Sequence, residues 1–126
     1  MDSLPWVVDV YKRDLQIEKY SIGYLKEPYV SLYTGRGCPA QCTFCLWPQT
    51  IGGHRYRVRS PESVYEEMKL AKQMFPQVKE FFFDDDTFTD DLPRAEAIEV
   101  VRRVGVMAQR NSPLRLRFAE GELTVS

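Results

Sequence analysis

Two kinds of apolar pattern run along the chain. Tyr29-Val30-Ser31-Leu32-Tyr33 is β-branched and aromatic and stops at Thr34-Gly35, which predicts a strand. Val64, Met68, Ala71 and Phe75 recur at spacings of four, three and four, one face of a helix. Ser60 is placed as its N-cap, Pro61 suits the first helical position, and Pro76 ends it. Val78 to Phe83 is a second strand, and its Phe81-Phe82-Phe83 run is apolar without alternation, as in a strand buried on both faces. A second helix opens at Pro93 with Asp90 or Asp91 as cap, shows Ile98, Val101 and Val104 on its inner face, and stops at Gly105.

Between these elements lie two segments with no apolar period. Residues 35–59 are rich in Gly, Cys, Pro and Arg, and a loop this long in a compact domain is functional or disordered. Asp84-Asp85-Asp86 follows the second strand. Strands alternating with helices predict an α/β fold with parallel strands and crossover helices. Ligands in such sheets sit beyond the carboxyl ends of the strands, so both loops share one face. Two strands can neither close a barrel nor bury both faces of a sheet, so the chain reads as part of a larger fold. Residues 1–28 read as a polar segment before it, with Tyr11 to Asp14 as a solvated turn or short helix.

The end of the chain reads differently. Every basic residue after Lys79 is Arg, and five arginines lie between Val100 and Ala119 with no acidic residue beside them until Glu120. Leu114 to Phe118 alternates like a strand in a setting that is not core-like. The expected division is a polar segment 1–28, a partial domain 29–104 and an atypical tail 105–126, disordered or frameshifted.

Composition narrows the class. With 126 residues the chain holds one small domain, and 44% hydrophobic and 28% charged residues are ordinary globular values. A net charge of -1 makes no bulk electrostatic case for nucleic acid or an anionic membrane. No apolar run approaches the ~20 residues of a membrane span, and the first residues lack the pattern of a signal peptide, so the cytoplasm is the expected compartment.

The three cysteines all lie in Gly35-Arg36-Gly37-Cys38-Pro39-Ala40-Gln41-Cys42-Thr43-Phe44-Cys45. An odd, tightly clustered set argues against a disulfide framework and for metal ligation. Three thiolates at this spacing suit an iron–sulfur cluster and leave the fourth iron of a [4Fe–4S] cube open. A zinc site with His54 as fourth ligand and three inert thiols are the competing readings; His54, nine residues past Cys45, does not fit the usual paired spacing.

Cys38-x-x-x-Cys42-x-Phe44-Cys45 resembles the signature of the radical SAM superfamily. Residues 45–57 and 81–91 are similar to hopanoid-biosynthesis-associated members of it, over roughly residues 5–100. The resemblance implies a partial (β/α) TIM-like radical SAM barrel. Cys38, Cys42 and Cys45 would hold [4Fe–4S], and S-adenosylmethionine (SAM) would chelate the open iron and be cleaved to a 5′-deoxyadenosyl radical. Phe44 would shield the cluster or the adenine, and Asp85 and Asp86 would hold the SAM amino group. No residue is assigned a catalytic role. The implied partners are a lipid-like hopanoid glycoside, converted to a cyclitol ether, and an electron donor such as flavodoxin or ferredoxin. The substrate leaves membrane association open. Full-length members of this branch carry a cobalamin-binding-like domain, and cobalamin is expected only with that domain, which is not read in these residues.

Two further readings concern the loops. Three adjacent carboxylates repel, so at least one is expected to meet a cation or a donor. Arg55, Arg57 and Arg59 read as a solvated edge or as contacts to absent parts of the barrel, and Trp47, Pro48 and Gln49 as packing for the cysteine loop.

Overall fold

The computed structural model describes residues 1–99 and the backbone of 115–118. Three parallel strands form its sheet in the order β1-β4-β5: β1 is Tyr29–Leu32, β4 is Glu80–Phe83 and β5 is Arg115–Phe118. Tyr29 lies opposite Glu80 and Leu32 opposite Phe83; Glu80 in turn lies opposite Arg115 and Phe83 opposite Phe118. Arg115–Phe118 of the alternating run is therefore a strand. The expectations for Val101, Val104, Gly105 and most of the 105–126 tail lie outside the described residues.

The central position of β4 explains its unbroken apolar run. All four of its residues are buried. Phe81 and Phe83 face the main core, while Phe82 meets Tyr24 edge-on at 6.4 Å and Glu80 accepts the Lys26 backbone N–H at 2.5 Å. The stretch 24–26 thus covers the second face of the strand.

Helix α2, Pro61–Met74, begins as the sequence predicts. The Ser60 hydroxyl accepts the Ser63 N–H at 3.2 Å and Pro61 occupies the first turn. Val64, Met68, Ala71 and Phe75 are buried against Val30, Leu32, Phe81 and Phe83. A further helix, α3, covers residues 92–99. Asp91 is its cap, accepting the Arg94 N–H at 3.1 Å, and Ala95 and Ile98 face the core.

The amino-terminal segment is more than a polar lead. Helix α1, Val8–Asp14, and the single turn Ile17–Lys19 place Val8 and Ile17 in the same core. One buried ion pair fastens them. Glu67 of α2 accepts the Val7 and Val8 N–H groups at 2.9 and 3.3 Å with one oxygen and the Arg59 guanidinium with the other. Arg59 also donates to the Tyr33 and Ser63 carbonyls, both at 3.0 Å. The solvated-edge reading therefore fails for Arg59, whose charge is fully compensated inside the protein.

Candidate functional site

The carboxyl ends of β1 and β4 lie side by side because the strands are parallel and in register. What leaves those ends is the cysteine loop on one side and Asp84-Asp85-Asp86 on the other. Each aspartate fastens a different residue of the loop's first section. The Tyr33 hydroxyl donates to Asp84 at 2.8 Å, the Thr34 N–H to Asp85 at 2.7 Å, and the Gly37 N–H to Asp86 at 2.9 Å. Donors from the loop thus meet each of the three carboxylates, and the Arg94 guanidinium lies 3.7 Å from Asp85.

Thr34 is the most heavily bonded residue of the site. Its carbonyl accepts the Arg59 N–H at 2.9 Å and Arg94 Nη2 at 3.0 Å. Its hydroxyl oxygen accepts Arg94 Nη2 at 2.7 Å and bonds the second oxygen of Asp85. Asp85 is only 4% exposed and Arg94 7%. Burial pushes the Asp85 carboxyl above its ordinary range, opposed by the Thr34 and Gly35 donors and the Arg94 charge. Tyr56 completes the node with its hydroxyl 3.4 Å from Arg94 and 3.5 Å from Asp85, and burial raises its pKa strongly. The Tyr56 ring lies against Gly35, where an added Cβ would stand 2.6 Å from it.

Beyond this node the loop is built as a short antiparallel ladder. β2, Gly35–Arg36, pairs with β3, Arg57–Val58. Gly37 has φ +94°, and an added Cβ would meet the Arg55 carbonyl oxygen at 2.3 Å. Only glycine fits there. Cys38 follows, its N–H donating to the Gly53 carbonyl at 3.1 Å.

The remainder of the loop is built differently. Residues 39–44 are exposed, and a π-type turn spans Pro48–Gly52. Phe44 is 91% exposed and Trp47 61%. Trp47 therefore does not pack the loop, and Phe44 shields nothing within the described chain. The Cys45 N–H donates to the Cys42 carbonyl at 3.2 Å, and His54 Nδ1 lies 3.2 Å from the Ala40 carbonyl. Cys42 is exposed, and Cys38 and Cys45 are partly so.

All three thiols are free. In softness and chain spacing they suit an iron–sulfur cluster. Among the described residues, no three His, Cys, Asp or Glu side chains are drawn together in a geometry that would hold a metal ion. The structure thus brings the aspartates to Thr34 and Gly37 but not the three thiols to one point. Asp86 is partly exposed and beside Gly37, one residue from Cys38. Asp85 has both oxygens engaged within the chain. Sequence reasoning missed Thr34, Tyr56 and Arg94; the only signal was a basic residue three positions after Asp91, inside an otherwise capped helix.

A family profile described as the Radical SAM superfamily matches residues 32–121. The chain is 36% identical over 92 residues to the hopanoid C-3 methylase of Methylococcus capsulatus, covering 72% of this chain and 16% of that protein. It is 34% identical over 98 residues to cytidylyl-2-hydroxyethylphosphonate methyltransferase of Streptomyces wedmorensis, covering 71% and 18%. It is 37% identical over 54 residues to bacteriochlorophyllide d C-8(2)-methyltransferase of Chlorobaculum tepidum, covering 43% and 10%. The chain spans less than a fifth of the length of these curated relatives. No solved structure matches. Among the described residues, no helix is long and apolar enough to cross a membrane.

Proposed function

The chain belongs to the radical SAM superfamily, and from that premise we propose that it carries the cluster and SAM site of an enzyme that starts radical chemistry on a small or lipid-like molecule. The observation that carries this reading is the Cys38-x-x-x-Cys42-x-x-Cys45 loop leaving the carboxyl edge of a parallel α/β sheet, its root bracketed by three aspartates. Under this reading the parallel sheet would be one section of a TIM-like barrel.

A bound [4Fe–4S] cluster would supply the one-electron chemistry of reductive SAM cleavage. Cys38, Cys42 and Cys45 would hold that cluster as thiolates. Cys38 is already fixed to the scaffold, and the arc bearing Cys42 and Cys45 must close toward it. Asp86, partly exposed beside the first cysteine, would accept the SAM amino group. Asp85, held by Thr34 and Arg94, would support that contact from behind. Phe44 would turn from solvent onto the cluster or the adenine, excluding water there. Such positioning and shielding is what protein supplies around a reactive cofactor.

On substrate, the hopanoid methylase among the relatives supports a hopanoid, and the primary reading, conversion of a hopanoid side chain to a cyclitol ether, rests on the resemblance of residues 45–57 and 81–91. Methyl transfer is the second reading, supported by the methylase and methyltransferase names of the relatives; cobalamin would serve in the full-length protein under that reading. A flavodoxin or ferredoxin would supply the electron. Anaerobic reconstitution followed by electron paramagnetic resonance tests the site. The expected result is a reduced [4Fe–4S] signal that changes on adding SAM and is absent in Cys42→Ala. Full iron content in Cys42→Ala, or bound zinc retained through His54, would overturn the assignment.

A further inference from the structure

Arg94 stands apart from the motif residues. It lies on α3, about fifty positions from the cysteines, yet its buried guanidinium reaches Thr34, two residues past the end of β1. Two of its nitrogens contact the Thr34 hydroxyl oxygen, at 2.7 and 3.3 Å, and one also takes the Thr34 carbonyl at 3.0 Å. The same Nη2 is 3.7 Å from Asp85, and the guanidinium carbon stands 5.6 Å from the Phe88 ring and 5.7 Å from the Tyr56 ring. Burying a charge so completely is costly unless it is paired and hydrogen-bonded, and this one is spent on a single corner.

That corner controls the first cysteine by two routes. One runs along the chain from Thr34 through the Gly35–Arg36 ladder to Gly37. The other runs through the adjacent aspartate, since Asp86 holds the Gly37 N–H. Both routes begin at the Thr34–Asp85 pair that Arg94 clamps. Removing the guanidinium would leave the Asp85 carboxylate buried beside fewer donors and free both tethers together. Among the described residues no comparable path leads to Cys42 or Cys45, which lie on the arc.

We propose that Arg94 is a positioning residue for the cysteine loop: by clamping Thr34 to the Asp85-Asp86 corner it holds Cys38 in place before the other two thiols close on a cluster. This rests on the reading of the three cysteines as cluster ligands, but its test separates the two. The thiols of the metal-free full chain are alkylated with iodoacetamide, and each cysteine is followed by peptide mass spectrometry. In the wild-type chain Cys38, partly buried, reacts more slowly than exposed Cys42. Arg94→Met should raise the Cys38 rate by about threefold or more while the Cys42 rate stays unchanged, since local opening exposes only what the clamp held. Arg94→Lys, which keeps the charge but not the planar fork, should fall between the two.

A general loss of stability would raise all three rates together, and circular dichroism of each variant reports it. If Arg94→Met fails to fold, the Arg94→Lys rates decide the question. Selective acceleration of Cys38 supports the clamp; an unchanged Cys38 rate in a folded variant, or equal acceleration of all three thiols, overturns it. Iron and sulfide content after reconstitution is read separately. Absence of iron in the wild-type chain would count against the cluster reading while leaving the alkylation result decisive for the clamp.

Discussion

The root of the cysteine loop and its outer arc differ in what holds them. At the root, residues 34–38, nearly every backbone polar group has a partner from another element, and glycines at 35 and 37 admit neighbours that no side chain would allow. On the arc, residues 39–47, the bonds are local apart from the His54 contact, and Phe44, Leu46 and Trp47 face solvent. The root is a finished structure. The arc carries apolar surface that has no place in the described chain, which is the condition of a segment whose packing waits for something to close on. Preorganisation is thus concentrated at one of the three thiols.

The largest effect should come from breaking the support behind the root. Glu67→Ala would strand the Arg59 guanidinium in the interior and release the Val7 and Val8 N–H groups. Losing one member of a buried pair costs about 3–5 kcal/mol. Since domain stabilities run to roughly 5–15 kcal/mol, urea unfolding should show this variant near the edge of folding. A loss below about 1 kcal/mol would mean that water reaches the pair and that the root is no better held than the arc.

Gly37→Ala acts on the root itself. It forces a side chain into a left-handed conformation and against the Arg55 carbonyl, so about 1–3 kcal/mol should be lost, with Cys38 pulled from its Gly53 bond. Ordinary unfolding curves measure the first effect, and amide exchange at Cys38 measures the second. Wild-type exchange protection in the variant would show that the tight turn is not what anchors the thiol.

Asp85 gives the root a pH signature. Burial raises its pKa in the folded chain above the ordinary 3.8, so the folded state holds that proton more readily than the unfolded one. The sign follows: its contribution favours folding below the unfolded value and is lost as pH rises through the folded value. Urea midpoints of wild type and Asp85→Asn, compared from about pH 7 down to about pH 4, should therefore shift in favour of wild type on acidification. A shift the other way would mean that the Arg94 and Thr34 partners outweigh burial.

The parts read correctly from sequence are those whose signal is local. The period of Val64, Met68, Ala71 and Phe75, the Ser60-Pro61 start and the unbroken Phe81–Phe83 run each report one physical cause, burial on a known face. The family was legible for the same reason, since its signature lies in the spacing of the cysteines. What escaped was long-range polar pairing. Arg59 looks like a member of an alternating basic strip, and only the fold reveals that Glu67 lies beside it. Arg94 and Thr34 are sixty residues apart, and nothing in either neighbourhood announces the other. In residues 1–28 the short helix was legible, but the core contacts of Val8, Ile17 and Leu25 were not, because exposed neighbours dilute them.

The smallest expected effect is the one most telling for the arc. Phe44 is 91% exposed, so truncating it removes almost no buried area and Phe44→Ala should change the stability of the metal-free chain by no more than about 0.5 kcal/mol. Ser60→Ala provides the scale: it deletes the one hydroxyl cap of α2 and should cost about 1 kcal/mol. If Phe44→Ala costs more than that cap, the aromatic is packed in solution and the arc is already closed, which would erase the contrast with the root. If it costs nothing until the chain is reconstituted and SAM is added, and then weakens the SAM-dependent change in the cluster signal, the arc acquires its structure from the guest. A large aromatic held in water by a folded chain is poorly explained by folding alone; the second outcome would give Phe44 its reason in binding.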